Sequence, residues 1–274
     1  EGGSAVNVTK IEALSGGAVW LLTETEGAIR IDTNPEDYSL TSQWYSAQSG
    51  QFSATRVFGV YEDLLGNEWI LSDNGLGMLT AGQTTPTSYF VDAAEREKKG
   101  GQAFYSCLEY NSEIYFGSDN GRVWCYQKEN GQFQLQNLPA SSRIVSINSV
   151  EGNELIFTTA KDGFFSYQPK TKAIEHFPAS RFPNASIHSV YVDKASEVWF
   201  EQHIPGAVVH FNPRTRILKQ EKVPVEPTST DRSRPAFHIH EDINGVLWVH
   251  PYGGGFSYFD RKSNSLHPFY NSLS

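Results

Sequence analysis

The sequence predicts an all-β fold, a β-propeller built of about six four-stranded antiparallel blades, and three observations carry it. An aromatic landmark recurs inside a short apolar run six times, at residues 20, 69, 115, 157, 199 and 248. The intervals are 49, 46, 42, 42 and 49 residues, the period of propeller blades. Helical periodicity is missing between the landmarks, whereas a helical solenoid of similar period would show it. The chain also has 17 Phe, 13 Tyr and 23 Gly among 274 residues, a mixture suited to many short strands joined by tight turns.

The six copies read Gly17-Ala-Val-Trp20, Asn67-Glu-Trp69, Ser112-Glu-Ile-Tyr115, Asn153-Glu-Leu-Ile-Phe157, Ser196-Glu-Val-Trp199 and Gly245-Val-Leu-Trp248. Each resolves into four strand candidates. In the second copy these are Arg56–Glu62, Glu68–Ser72, a strand near Gly77–Thr80 and one near Thr87–Val91, with Asp73-Asn-Gly75 as a hairpin turn. Asn and Gly fit there because they tolerate positive φ. The sixth copy repeats the plan with Phe237–Glu241, Leu247–His250, Phe256–Asp260 and Leu266–Tyr270. A single four-stranded sheet cannot cover both of its faces, so each must pack against a neighbour, with the landmark aromatic between them. The sixth copy owns its fourth strand, which predicts blades built from contiguous sequence. Residues 1–274 therefore read as one propeller domain, either a ring of six or an arc that leaves two apolar blade faces open.

Two connectors depart from the repeat. Gln83–Gly101 contains Asp92, Glu95 and Gly100, placed to cap a short helix whose Arg96, Lys98 and Lys99 face water. Lys219–Pro235, with Pro224, Pro227 and Pro235, reads as an extended polar loop.

Composition removes several functions. A net charge of -9 opposes nucleic-acid binding, which needs a basic face. No apolar run reaches the ~20 residues of a bilayer span, and no secretory leader opens the sequence. Cys107 and Cys125 fall on the first and third strands of one blade, too far apart for a disulfide, and both are expected to be free. No P-loop, Gly-x-Ser-x-Gly elbow or His-Glu-x-x-His helix occurs. His238, His240 and His250 could supply three metal ligands, but no carboxylate clearly converges on them, and the expectation is that no metal or other cofactor is held. Asp32, Asp63, Asp119, Asp162, Asp193 and Asp242 mostly recur at turns, as structural caps would.

Two segments carry a family resemblance. His240-Glu-Asp242-Ile-Asn-Gly245-Val-Leu-Trp248 with the following Gly253-Gly-Gly255 and Tyr258-Phe-Asp260, and Tyr61-Glu-Asp63-Leu-Leu-Gly66-Asn-Glu-Trp69, resemble the two-component regulator propeller repeat. The third and fourth copies are degenerate, lacking the Glu-Asp pair and the Trp. The resemblance implies a non-catalytic periplasmic sensor region of a hybrid two-component regulator, detecting glycan fragments and signalling to a histidine kinase outside this chain. It also implies a homodimer in the full-length protein. Such sensor regions carry more repeats, in two propellers, so the chain reads as a piece of a seven-bladed or double propeller. An enzyme of the lactonase or lyase type on a six-bladed scaffold and a purely structural module are the alternatives. An oligosaccharide site needs exposed aromatics beside polar groups, and the irregular positions that offer these are Trp44 and Tyr45 in a connector, His203, Arg232, Arg234 and Tyr252.

Overall fold

The computed structural model describes residues 6–91, 103–182, 187–202, 207–223, 237–251 and 255–270. It contains six four-stranded antiparallel sheets, each formed by four strands consecutive in sequence. The first blade comprises β1 (Val8–Ala13), β2 (Val19–Thr23), β3 (Ala28–Thr33) and β4 (Leu40–Tyr45). The second has β5 (Val57–Glu62), β6 (Glu68–Ser72), β7 (Gly75–Leu79) and β8 (Thr87–Tyr89). The third has β9 (Phe104–Tyr110), β10 (Glu113–Ser118), β11 (Arg122–Gln127) and β12 (Gln132–Asn137). The fourth has β13 (Ile144–Val150), β14 (Glu154–Thr159), β15 (Gly163–Gln168) and β16 (Ala173–Pro178). The fifth has β17 (Ile187–Val192), β18 (Val198–Gln202), β19 (Ala207–Asn212) and β20 (Ile217–Lys222). The sixth has β21 (Phe237–Glu241), β22 (Leu247–Pro251), β23 (Phe256–Asp260) and β24 (Ser265–Tyr270). The chain divides into two compact units of three blades, Glu1–Asn137 and Leu138–Ser274.

The expected strands hold to within two residues, and the contiguous blades are as the sequence requires. One connector is shorter than expected. Lys219–Lys222 belongs to β20 rather than to a loop. This strand lies at the sheet edge, bonded on one side only, and a polar exposed edge strand carries no apolar pattern by which to recognise it. The expected helix over residues 92–100 lies outside the described residues, as does the rest of the Lys219–Pro235 connector from residue 224 onward. Among the described residues the only helical turn is a 3-10 turn at Ala179–Arg181.

The second strands are the most buried. All six residues of β14 and all five of β18 are buried, because the second strand has a neighbour on each side within its sheet and a blade against its faces. Five of the six landmark aromatics are buried, and Trp69 and Trp199 fill the space between blades as expected. Trp69 contacts the rings of Phe116, Tyr126 and Phe133 from the third blade at 5.0, 4.9 and 6.5 Å. Trp199 meets Phe259 of the sixth blade edge-on at 4.8 Å. Burying a side chain of this size contributes on the order of 3 kcal/mol, so both of these interfaces have a large apolar anchor.

In the first, second and fourth blades the hairpin between second and third strands is closed by a hydroxyl at the end of the second strand. Thr23 donates to the carbonyl of Gly27 at 2.8 Å, Ser72 to that of Gly75 at 2.9 Å, and Thr159 to that of Gly163 at 2.8 Å. In the same hairpins the hydroxyl accepts a backbone N–H, from Glu26, Asn74 and Asp162. Glycine opens the third strand in all three because φ is +81°, +94° and +89° there. A Cβ would also overlap the carbonyl oxygens of Tyr45, Tyr89 and Phe177 on the fourth strands.

Cys107 and Cys125 are free, and the register supplies a stronger reason than distance. Cys107 pairs with Phe116 and Cys125 with Tyr115. Consecutive residues on β10 point to opposite faces, so the two thiols lie on opposite sides of the sheet. Burial pushes the Cys107 thiol above its usual range, which keeps it protonated at neutral pH.

Gly163→Ala is expected to destabilise the chain by roughly 3 kcal/mol or more, from the strained positive φ together with the overlap on Phe177. Chemical denaturation would register this as a lower midpoint with little change in slope. An unshifted midpoint would show that the third and fourth strands can separate at that point.

Candidate functional site

The Glu-Asp-x-x-Gly-x-x-Trp segments resolve into two separate devices. The aspartate builds its own loop. Asp63 accepts the backbone N–H groups of Leu65 and Asn67 and the indole N–H of Trp69 at 3.0 Å. Asp193 does the same with Ala195, Glu197 and Trp199. Asp242 repeats it with Asn244, Val246 and Trp248. A carboxylate suits the position because a tight turn leaves several N–H groups converging where only an acceptor can satisfy them. Burial alone would raise the Asp63 carboxyl, but donation from Trp69, Asn67 and Leu65 outweighs it and holds the group below its ordinary value. The Asp242 carboxyl is likewise held low, first by Trp248 and then by the N–H of Val246.

The glutamate acts on the preceding blade. Glu62 accepts the Gly16 N–H at 3.1 Å, Glu109 that of Leu64 at 2.9 Å, and Glu241 that of Lys194 at 2.7 Å. In each case the captured N–H lies in the loop between the first and second strands of the neighbouring blade. The six aspartates therefore occupy three kinds of position rather than one. Asp63, Asp193 and Asp242 form the loop just described. Asp162 and Asp119 sit in the hairpin after the second strand, where Asp162 accepts from Ser141 and Ser142 and Asp119 from Tyr105. Asp32 lies within β3 and pairs with Arg30. Their role is structural in all three settings.

An open recess of about 550 Å³ lies on one face of the sixth blade, lined by His238, His240, Asp242, Trp248, His250, Phe256 and Phe269. Register explains the grouping. His238 pairs with His250, and His240 pairs with Trp248, which pairs with Tyr258. Cross-strand partners share a face. The opposite face carries Phe237, Ile239, Leu247, Val249, Phe259 and Leu266 and packs with Trp199 and Val208 of the fifth blade. Trp248 is half-buried whereas Trp69 and Trp199 are fully buried. The expected histidine trio thus does share one face. Its members are engaged locally, with His250 Nδ1 at 3.0 Å from the Gly255 carbonyl and its ring stacked on Phe256 at 4.8 Å. Among the described residues no group of three His, Cys, Asp or Glu side chains is disposed to hold a metal ion.

The expected oligosaccharide contacts fare differently. Trp44 and Tyr45 end β4 instead of lying in a connector. Tyr45 is fully buried, packs on Trp20 at 5.0 Å and donates its hydroxyl to the Thr84 carbonyl at 3.0 Å. Burial pushes its phenol up to about 12. It is a core residue, and its ring is withdrawn from any ligand. The repeat position explains this, since Tyr45 shares its face with Ala28, beside Trp20 and Leu22 in the core against the second blade. Trp44 points to the other face, which it shares with Ile29, Leu21 and the 65% exposed Ile11. His203, Arg232, Arg234 and Tyr252 lie outside the described residues. In sequence they fall between β18 and β19, β20 and β21, and β22 and β23.

No family model matches the chain, and no curated protein matches it. Solved structures do. Two are extracellular domains of Bacteroides thetaiotaomicron proteins described as hybrid two-component systems, BT4673 and BT3049. Both are 16% identical with a TM-score of 0.64, and the alignments cover 96% and 99% of this chain and 36% of each of theirs. The chain is a β-propeller. Virginiamycin B lyase from Staphylococcus aureus shares the fold with a TM-score of 0.68 at 17% identity, over 98% of this chain and 88% of the lyase. The chain thus spans about a third of the length of these two extracellular domains. No helix among the described residues is long and apolar enough to cross a membrane.

Asp63→Asn is expected to cost about 2 kcal/mol at neutral pH, because charge-assisted bonds become neutral ones. A carboxyl held low in the folded state stabilises fully above its unfolded pKa and loses that contribution as pH falls through the folded value. Urea denaturation from pH 7 to pH 2 should therefore show a shallower acid decline in the variant than in the parent. Parallel declines would remove Asp63 from the acid response.

Proposed function

We propose that the chain is the non-catalytic, extracytoplasmic sensor propeller of a hybrid two-component regulator, acting in the periplasm by detecting glycan fragments and signalling to a histidine kinase. The observation that supports this best is the match over nearly the whole chain to extracellular domains of two proteins described as hybrid two-component systems. The Glu-Asp-x-x-Gly-x-x-Trp segments support it from the sequence side. The regular blade positions are consumed by folding, because their carboxylates and tryptophans satisfy loops and blade interfaces. Recognition then falls to positions outside the repeat, and His203, Arg232, Arg234 and Tyr252 are the proposed contacts. A tyrosine ring stacks on the apolar face of a sugar, and paired guanidinium groups receive hydroxyl or carboxylate oxygens. A homodimer of the full-length protein would carry the signal.

A second reading, a lyase-type enzyme, is favoured by the extent to which the lyase structure is covered. Calorimetry against neutral and acidic oligosaccharides separates the two when the same mixtures are analysed for products. The sensor reading expects saturable heat with unchanged sugar, and a loss of at least about tenfold in affinity in the Arg232→Ala, Arg234→Ala double variant. Product accumulation would replace it with the enzyme reading. Binding untouched by substitution of all four residues would move the site elsewhere.

A further inference from the structure

Each sheet ends in two edge strands that are paired on one side only, and an open edge is a template for another strand. Nearly all the edges of this chain carry a device that spoils such pairing. Register shifts bend β1, β5, β9, β13 and β17, and β24 has both a shift and Pro268. Charged residues mark β16, β20 and β21, namely Glu175, then Lys219, Glu221 and Lys222, then Glu241. β8 is only three residues long. Two edges lack all of these devices, β4 and β12. Near the end of β4, Gln43 and Tyr45 donate to the Thr84 carbonyl at 3.3 and 3.0 Å, so chain from the second blade lies against that strand. Among the described residues β12 pairs with β11 alone, through all six of its residues, and Gln132, Gln134, Leu135 and Asn137 are exposed.

The open strand is also complementary to itself. It reads Gln132-Phe-Gln134-Leu-Gln136-Asn137, which has the same character in both directions about Gln134. Two copies laid antiparallel with Gln134 on the two-fold axis set Gln132 against Gln136 and Phe133 against Leu135. Gln134 then meets its own counterpart. Every amide faces an amide, able to donate and accept in turn, and every apolar residue faces an apolar one. A slip of one residue in either direction sets both Phe133 and Leu135 against glutamines, so the register is specified. The apolar pair shares a face with Tyr126 and Trp124, its partners on β11. Phe133 is already packed there, with Tyr89 and Phe90 at 5.1 and 5.0 Å, whereas Leu135 is 41% exposed. The Phe133 ring of a second copy would cover it. Two copies with a net charge of -9 each repel one another, and a strand without a charged residue is where their approach costs least.

We propose that β12 pairs antiparallel with β12 of a second copy of this chain, about a two-fold axis at Gln134, and so joins the two third blades into one continuous sheet. The contact is isologous and consumes both open edges, so assembly stops at the dimer. A strand pair of this length falls short of the ~1,200 Å² of a stable interface. The isolated chain therefore associates weakly, with a dissociation constant on the order of 100 µM. Two copies already held together in a full-length protein would meet at an effective concentration of roughly millimolar, enough to close the pair. The pairing gives a surface to the homodimer proposed above and stands whether or not the chain detects glycans.

Sedimentation of the 274-residue chain at up to about 500 µM tests this, and the two-fold register gives it a charge-swap control. The parent should show a reversible monomer–dimer equilibrium. Q134K alone and Q134E alone should each weaken it at least about tenfold, because like charges then meet on the axis. An equimolar mixture of the two should associate at least as tightly as the parent, which also shows that both variants are folded. Away from the axis, Q132K/Q136E should keep the dimer, since each lysine faces a glutamate, and Q132K/Q136K should lose it. S42K, on the other uncharged edge, should change nothing. A chain that stays monomeric throughout overturns the proposal. So does a dimer indifferent to Q134K, a mixture that fails to restore association, or a dimer abolished by S42K.

Discussion

A four-stranded sheet has two faces, and neither survives exposure to water if both are apolar. Everything else in this chain follows from that constraint. It forces blades to stack and places the largest side chains where two sheets meet. It also obliges each blade to carry polar groups that join it to the next. Trp69 and Trp199 show the result, each ring buried between sheets with its N–H held by an aspartate six residues earlier. The same residue thus serves both needs of a buried indole, apolar cover for the ring and an acceptor for its one donor.

The polar part of the interface recurs at three junctions. Glu62, Glu109 and Glu241 reach back to the loop of the preceding blade, and at the last two a lysine or arginine ties that glutamate to the aspartate of the same loop. Buried charges are costly unless paired, so Lys128 and Arg261 offset the carboxylates that meet there. This reciprocity makes the blades individual despite their shared plan, since each face is matched to a particular neighbour.

A consequence for function is that regular positions are occupied by folding. The recurrent aspartates are acceptors in turns, and the aromatic landmarks are core. His238, His240 and His250 share a face because strands alternate, and no common ligand is needed to explain the grouping. The irregular connections are where chains of one fold diverge, and extracellular domains of two-component systems and a lyase both adopt this fold at 16–17% identity. Fold likeness at that level does not fix activity.

The repeat period, the contiguous blades, most strand limits and the burial of Trp20, Trp69, Tyr115, Phe157 and Trp199 were legible in the sequence, because all of them are local or periodic. Tyr45 was misread for want of the same logic applied to the end of β4. β20 was missed because a polar edge strand has no alternation to read. Among the contacts expected from the sequence only Trp44 and Tyr45 fall on described residues, and they lie on opposite faces of one sheet. The sequence by itself determined that sheets of this length must stack. Only the tertiary structure decided which carboxylate meets which loop, because Glu109 and Leu64, or Glu241 and Lys194, lie more than forty residues apart and nothing in the local pattern pairs them. It alone decided, too, that the last of the landmarks, Trp248, remains half-uncovered.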